Sequence, residues 1–135
     1  MNGPPAVVLD SSSLLAFLRE ERGAALVEES LANAVISAVN WAETLTKLFD
    51  LGQDADAIAS SLAQGGVVGQ SLAIWPLDDT LARETARLRR ETRKAGLSLG
   101  DRACLALGRV LRLPVLTGDR SWQDLELGID VRAIR

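Results

Sequence analysis

The 135-residue sequence contains no histidine, which removes His-based catalytic triads, histidine-ligated zinc and an imidazole general base. Any catalysis must rest on carboxylates, hydroxyls, Lys, Arg or a bound metal. Cysteine is nearly absent as well. The lone Cys104 cannot form an internal disulfide, and its apolar neighbours Ala103, Leu105, Ala106 and Leu107 assign it to the core as a small hydrophobe. Aromatic residues supply only 4% of the chain against 47% hydrophobic residues, so the core is built from Leu, Val, Ile and Ala, as suits helices layered on a sheet. A disordered chain has a different composition. No apolar run approaches the roughly 18 residues that span a bilayer, and the N-terminus lacks the basic flank and long apolar stretch of a signal peptide. The expectation is a cytoplasmic protein with no membrane association. There is no basic excess either: 15 Lys and Arg stand against 18 Asp and Glu, a formal charge of −3, so nucleic-acid binding would need a local basic patch.

What the sequence does contain is an alternation of short apolar runs with helical patterns, and the length fits one domain, 1–135, with no linker or repeat. Gly65-Gly66 is a turn. Strands are predicted at 6–9, 34–37, 72–75 and 115–116, with a final edge strand within 129–134. Helices are predicted from about 12, over 24–31, 41–51 and 54–64, from about 79 to 94 behind Pro76, and over 99–111. Strands separated by helices imply crossovers and a mainly parallel sheet covered on both faces, a three-layer α/β/α architecture. Ligands in such sheets bind beyond the carboxyl ends of the strands.

Four carboxylates fall at that end, each with an ordinary explanation. Asp10 follows the first strand and can cap the next helix. Glu43 lies three residues after Asn40 at a helix start, the spacing of a capping pair, and Asp101 stands in the same relation to Ser98. Asp119, in Thr117-Gly118-Asp119, is an ordinary turn residue. Their joint placement is what points to chemistry. Two carboxylates about 4 Å apart repel by roughly 4 kcal/mol at an effective dielectric of 20, so four in one cleft shift their own pKa values or recruit cations. A donor set of oxygens alone selects hard ions, Mg²⁺ or Mn²⁺ before Zn²⁺, and such ions assist phosphodiester hydrolysis without a histidine. Ser12 and Thr117, each two residues from a carboxylate, can orient it as supporting hydroxyls or serve only as cap and turn.

At these residues the chain resembles the PIN-domain family, and more narrowly the VapC toxins of bacterial type II toxin–antitoxin modules. The resemblance covers nearly the whole chain and rests on VVLDSSSLLAFL around Asp10, ISAVNWAE ending at Glu43, LSLGDRACLALG around Asp101 and LPVLTGDRSW around Asp119. It implies an Mg²⁺- or Mn²⁺-dependent endoribonuclease that cuts a structured RNA, often a transfer or ribosomal RNA, with Asp10, Glu43, Asp101 and Asp119 as metal ligands. It also implies a homodimer and a VapB-like antitoxin whose C-terminal segment wraps the helices and blocks the site. Gly100 stands where this resemblance leads one to expect Ala, which predicts a looser start to the helix of Asp101.

The main basic patch is the stripe Arg83, Arg87, Arg90 and Lys94, flanked by Arg89 and Arg93, on the helix predicted from 79 to 94. It is either a phosphate-binding surface or a solvated face paired with Glu84 and Glu91. Arg102 and Arg120, adjacent to Asp101 and Asp119, are alternative RNA contacts. Leu14, Leu15 and Leu18 with Leu45, Leu48 and Phe49 can form either a groove for a partner helix or part of the core, and Trp41, Trp75 and Trp122 read as packing residues. Two other function classes compete. A phosphoryl-transfer enzyme with Asp10 as nucleophile lacks the second Asp of a haloacid-dehalogenase-type pair, and no Lys follows a late strand as in a receiver domain. A silent binding module would keep the capping carboxylates without binding metal.

Overall fold

The computed structural model describes residues 3–135. Five strands, β1 (Val7–Leu9), β2 (Ala34–Ser37), β3 (Leu72–Trp75), β4 (Val115–Thr117) and β5 (Val131–Ala133), form one sheet in the order β3-β2-β1-β4-β5. Every neighbouring pair is parallel, so the mainly parallel sheet foreseen from the sequence is entirely so among the described residues. The helices are α1 (Ser11–Leu18), α2 (Ala24–Ser30), α3 (Ala38–Asp50), α4 (Ala55–Gln64), α5 (Asp79–Glu91) and α6 (Leu99–Leu111). No helix among the described residues is long and apolar enough to cross a membrane.

The central strands are buried on both faces, and the alternation of side chains sorts them into two cores. Val7, Leu9, Ala34, Ile36 and Leu116 pack with Leu14 and Ala16 of α1 and Val27 of α2. Val8, Val35 and Val115 face the other way, against Leu81 and Leu88 of α5 and Cys104, Leu105 and Leu107 of α6. This is the three-layer arrangement. Chain order reverses between β1 and β4, because β2 and β3 extend the sheet to one side of β1 while β4 and β5 extend it to the other. The crevice beyond the carboxyl ends of β1 and β4 is therefore the switch point where such folds bind ligands.

Several predicted boundaries move. α3 begins at Ala38 and not at 41, because the Ser37 hydroxyl accepts from Val39 N and caps it. Asn40 and Glu43 therefore lie inside the helix and are not a capping pair. α5 ends at Glu91, and Lys94 belongs to a separate 3-10 turn, Arg93–Ala95. The edge strand contracts to β5, Val131–Ala133. Leu14 and Leu48 are buried in the core, Leu15, Leu18 and Leu45 are half-buried, and Phe49 is exposed, so these residues do not form one uniform groove. Trp122 is buried, while Trp41 and Trp75 are half-buried against the two cores.

Candidate functional site

Asp10 leaves the end of β1 and is only 5% exposed, with no cation paired to it among the described residues. Its Oδ1 caps α1 by accepting from Ser13 N (2.8 Å) and also accepts from Ser12 Oγ (2.7 Å), while Oδ2 accepts from Thr117 Oγ1 (2.6 Å). Both hydroxyls are themselves fixed from behind. Gly118 N donates to Ser12 Oγ (2.8 Å) and Asp119 N donates to Thr117 Oγ1 (3.0 Å), so each hydroxyl proton is left to point at Asp10. Ser12 and Thr117 thus both serve Asp10 and stitch α1 to the turn after β4. Thr117 was placed beside Asp119 by the sequence; the structure aims its hydroxyl across the sheet. Ser13, which the sequence did not single out, strengthens the same seam by donating to the Leu116 carbonyl (2.8 Å). Burial pushes the Asp10 pKa above the usual carboxylate value, opposed by the hydrogen bonds from Thr117, Ser12 and Ser13.

Asp119 begins the 3-10 turn Arg120–Asp124 and uses only Oδ1, which accepts from Ser121 N (3.0 Å) and Ser121 Oγ (2.6 Å). Asp101 completes a capping box with Ser98: its Oδ2 accepts from Ser98 N (3.1 Å) while Ser98 Oγ accepts from Asp101 N (3.1 Å). Glu43 is held by the buried Asn40, whose Nδ2 donates to Glu43 Oε1 (2.9 Å) and to the Gly100 carbonyl (3.0 Å). The Glu43 carboxylate lies directly over Gly100, in the space a Cβ would need. Gly100 is buried and opens α6 within a capped first turn, so the predicted looseness gives way to a steric requirement: glycine makes room for Glu43.

Asp10, Asp101 and Asp119 line one open cleft of about 530 Å³ with Ser12, Arg120 and Arg135. Glu43 lies outside that lining, on the face of α3 with Val39, Thr46 and Lys47, and joins the group through Asn40 and Gly100. The convergence is also felt beneath the cleft. The thiol of buried Cys104 is pushed well above its ordinary pKa, first by burial and then by the charges of Asp10, Asp101 and Glu43 around it. Among the described residues no three acidic side chains stand close enough to close on one ion by themselves. Nevertheless three of the four carboxylates keep an oxygen free of hydrogen bonds, and the fourth, Asp10, keeps lone-pair capacity on Oδ2. Asp119 Oδ2, Asp101 Oδ1 and Glu43 Oε2 receive no hydrogen bond, and Asp10 Oδ2 receives one, among the described residues. A donor set of oxygens alone, three of them free of hydrogen bonds and held in place through the other edge of their carboxylates, fits a hard divalent cation that keeps part of its water shell.

The proposed cationic contacts separate. Arg120 lines the cleft. Arg102 does not: its guanidinium turns to α5 and donates to the Thr85 carbonyl (3.0 Å), leaving Nε buried without a partner. Arg83 pairs with Asp79 (2.8 Å) and Arg87 with Glu84 (3.1 Å), while Glu91 is taken by Arg109 of α6 (2.8 Å). Arg90 and Lys94 line a separate hollow near Asp124, so the basic stripe does not border the carboxylate cleft. Arg135, which no motif signalled, does border it.

No curated protein sequence matches the chain significantly. Solved structures do. A toxin–antitoxin complex from Klebsiella pneumoniae is 20% identical and aligns with a TM-score of 0.73 over 96% of this chain and 98% of that one. VapC20 from Mycobacterium tuberculosis, a toxin that cleaves the sarcin-ricin loop, is 12% identical, with a TM-score of 0.70 over 93% and 99% of the two chains. VapBC-5 from Mycobacterium tuberculosis, a member of the VapBC family of toxin–antitoxin systems, is 26% identical, with a TM-score of 0.58 over 98% and 99%. A model of the PIN domain matches residues 7–127, from β1 to beyond the turn that follows β4, and so includes all four carboxylates: the chain belongs to the PIN domain family.

Proposed function

We propose that the whole chain, 1–135, is a divalent-metal-dependent endoribonuclease, the toxin of a toxin–antitoxin pair, in which Asp10, Glu43, Asp101 and Asp119 hold Mg²⁺ or Mn²⁺. The observation that carries this reading is that Asp10, Asp101 and Asp119 share one cleft at the switch point of the sheet, and that Asp101, Asp119 and Glu43 each have one oxygen anchored to the fold and the other free of hydrogen bonds among the described residues. Capping and metal holding are therefore compatible roles. When bound, the ion stabilises the charge that builds on the phosphoryl oxygens during in-line attack of water on a phosphodiester. The remaining work falls to the chain. The Ser12 and Thr117 hydroxyls keep Asp10 oriented and stabilise its ionised form. Asn40 fixes the height of Glu43 against Gly100, and the capping box fixes Asp101 at the first turn of α6.

The likeness to toxin–antitoxin complexes supports a VapB-like antitoxin as partner, and the likeness to a toxin that cleaves the sarcin-ricin loop supports a structured RNA, such as a transfer or ribosomal RNA, as substrate; the family resemblance adds a homodimer. Arg120 is the RNA contact nearest the carboxylates, with Arg83, Arg87, Arg90 and Lys94 as a more distant phosphate-binding face. The test is to induce the protein, sequence the new RNA 5′ ends, and repeat the cut with purified protein in Mg²⁺. One RNA species cut at one position, with cleavage abolished by EDTA and by Asp119→Asn, is the expected result. Folded protein without metal-dependent cleavage of any cellular RNA would overturn the proposal.

A further inference from the structure

The cleft contains more than carboxylates. β5 runs parallel to β4, so its carboxyl end emerges at the same sheet edge and delivers Arg135 to the rim of the cleft. Its guanidinium is held there from two sides. Nη1 donates to the Arg22 carbonyl (3.1 Å), and the rest of the group lies over Gly118, where a Cβ would stand 2.8 Å from Nη2 and 3.2 Å from Cζ. Gly118 does not adopt a positive φ, so its backbone does not demand glycine. The space of the missing side chain is shared by the guanidinium and by Ser12 Oγ, 3.1 Å from the same point. Beside it, Arg120 Nε donates to the main-chain oxygen of Arg135 (2.7 Å), which ties the two cationic residues together and leaves both terminal nitrogens of Arg120 uncommitted.

Neither guanidinium pairs with a side-chain carboxylate among the described residues, although both line the same cleft as Asp10, Asp101 and Asp119. The cleft thus holds carboxylate oxygens and guanidinium nitrogens that do not satisfy one another. A ligand that answers both must present a cation to the first and an anionic oxygen to the second, which is the chemistry of a phosphate with a divalent ion. We propose that Arg135, seated in the gap over Gly118 and coupled to Arg120, binds a backbone phosphate of the RNA beside the bond to be cut. This rests on the nuclease reading above.

The test uses Arg135→Gln, which drops the charge while keeping a shorter polar side chain, and Arg135→Lys, which keeps the charge without the fork. Binding of a fluorescein-labelled single-stranded RNA is followed by anisotropy over a series of NaCl concentrations in EDTA, and cleavage is followed separately in Mg²⁺. Arg135→Gln is expected to bind about tenfold more weakly, with a salt slope shallower by about 0.7, one phosphate contact on a single strand, and with melting and Mn²⁺-induced stabilisation unchanged. Arg135→Lys is expected to keep the slope and to recover most of the binding. Parental affinity and slope in Arg135→Gln overturn the assignment, as does a lower melting temperature with an unaltered slope, the mark of a purely structural clamp. Should Arg135→Gln fail to fold, Gly118→Ala displaces the guanidinium without removing its charge, and because the methyl group also meets Ser12 Oγ, Mn²⁺ binding is measured beside cleavage; a raised KM with parental Mn²⁺ binding supports the proposal, and a parental KM or a change traced to lost Mn²⁺ binding overturns it. Parent protein that fails to cleave in Mg²⁺ brings down the nuclease reading and Arg135 with it. Parent and Arg135→Gln that cleave equally well bring down Arg135 alone.

Discussion

Asp10→Asn separates the capping role of Asp10 from its charge. Ser13 N can only donate, so the asparagine must keep its oxygen on that side, where Ser12 Oγ also donates. Its amide nitrogen then faces Thr117 Oγ1, which accepts from Asp119 N and has a second lone pair to offer. One O–H···O bond is exchanged for one N–H···O bond, at a cost of about 1 kcal/mol or less. Against this, the substitution removes a buried charge. Burial raises the folded-state pKa of Asp10 above its ordinary value of 3.8, so its contribution to stability is fully present below that value and is lost as pH rises through the folded value. Each unit of separation corresponds to about 1.4 kcal/mol. In EDTA, Asp10→Asn should therefore melt near the parent in acid and increasingly above it toward neutrality. A carboxylate about 4 Å from a divalent ion contributes roughly 8 kcal/mol at an effective dielectric of 20; a third of that remaining after dehydration is about 100-fold in ion affinity. Cleavage in Mg²⁺ should fall at least that far. Melting curves across pH and a cleavage assay read both effects. A variant that melts well below the parent at every pH, or that folds and cleaves at the parental rate, refutes the reasoning.

Gly100→Ala places a methyl group into the Glu43 carboxylate and should cost about 1–3 kcal/mol by overpacking while lowering cleavage; unchanged melting and activity would show that Glu43 moves aside freely. Arg109→Met removes the guanidinium that joins Glu84 and Glu91 of α5 to α6, and should cost about 1 kcal/mol, given that Glu91 is 45% exposed. The hydrogen bond from Arg109 is the main reason the Glu91 pKa lies below 4.5, so its contribution is present above that value and lost as pH falls through the folded one; the gap between Arg109→Met and parent should close in acid. Reversing Arg87 and Arg90 to Glu should weaken RNA binding and flatten its salt dependence if the outer face of α5 touches phosphates, and unchanged binding in an anisotropy titration assigns that face to solvent.

The placement of Asp10, Asp101 and Asp119 was legible because each sits at a local signal, a strand end, a capping box or a turn, and because parallel strands bring such signals to one edge. What escaped depends on contacts distant in sequence. Gly100 looked like a flexible residue because its occupant, Glu43, comes from another helix. Arg102 was placed by adjacency to Asp101, yet consecutive residues on a helix point about 100° apart, and Arg102 faces α5. Asn40 reads as a cap only if α3 starts at 41; with Ser37 as the cap, Asn40 falls on the buried face and holds Glu43. Arg135 carries no motif at all, although a fifth strand parallel to β4 is enough to bring it to the cleft. The basic stripe was shortened because the helix ends at Glu91 and not at 94, which detaches Lys94 from the face shared by Arg83, Arg87 and Arg90.

The central claim is that the four carboxylates together hold a divalent ion. Mn²⁺ titration followed by electron paramagnetic resonance counts bound ions directly, without RNA and without assuming catalysis. The parent should bind Mn²⁺ with Mg²⁺ as a competitor, Asp10→Asn and Asp119→Asn should lose that binding while remaining folded, and Glu43→Gln and Asp101→Asn should weaken it. Absence of binding to the folded parent at millimolar Mn²⁺, or binding left intact in all four variants, would contradict the account.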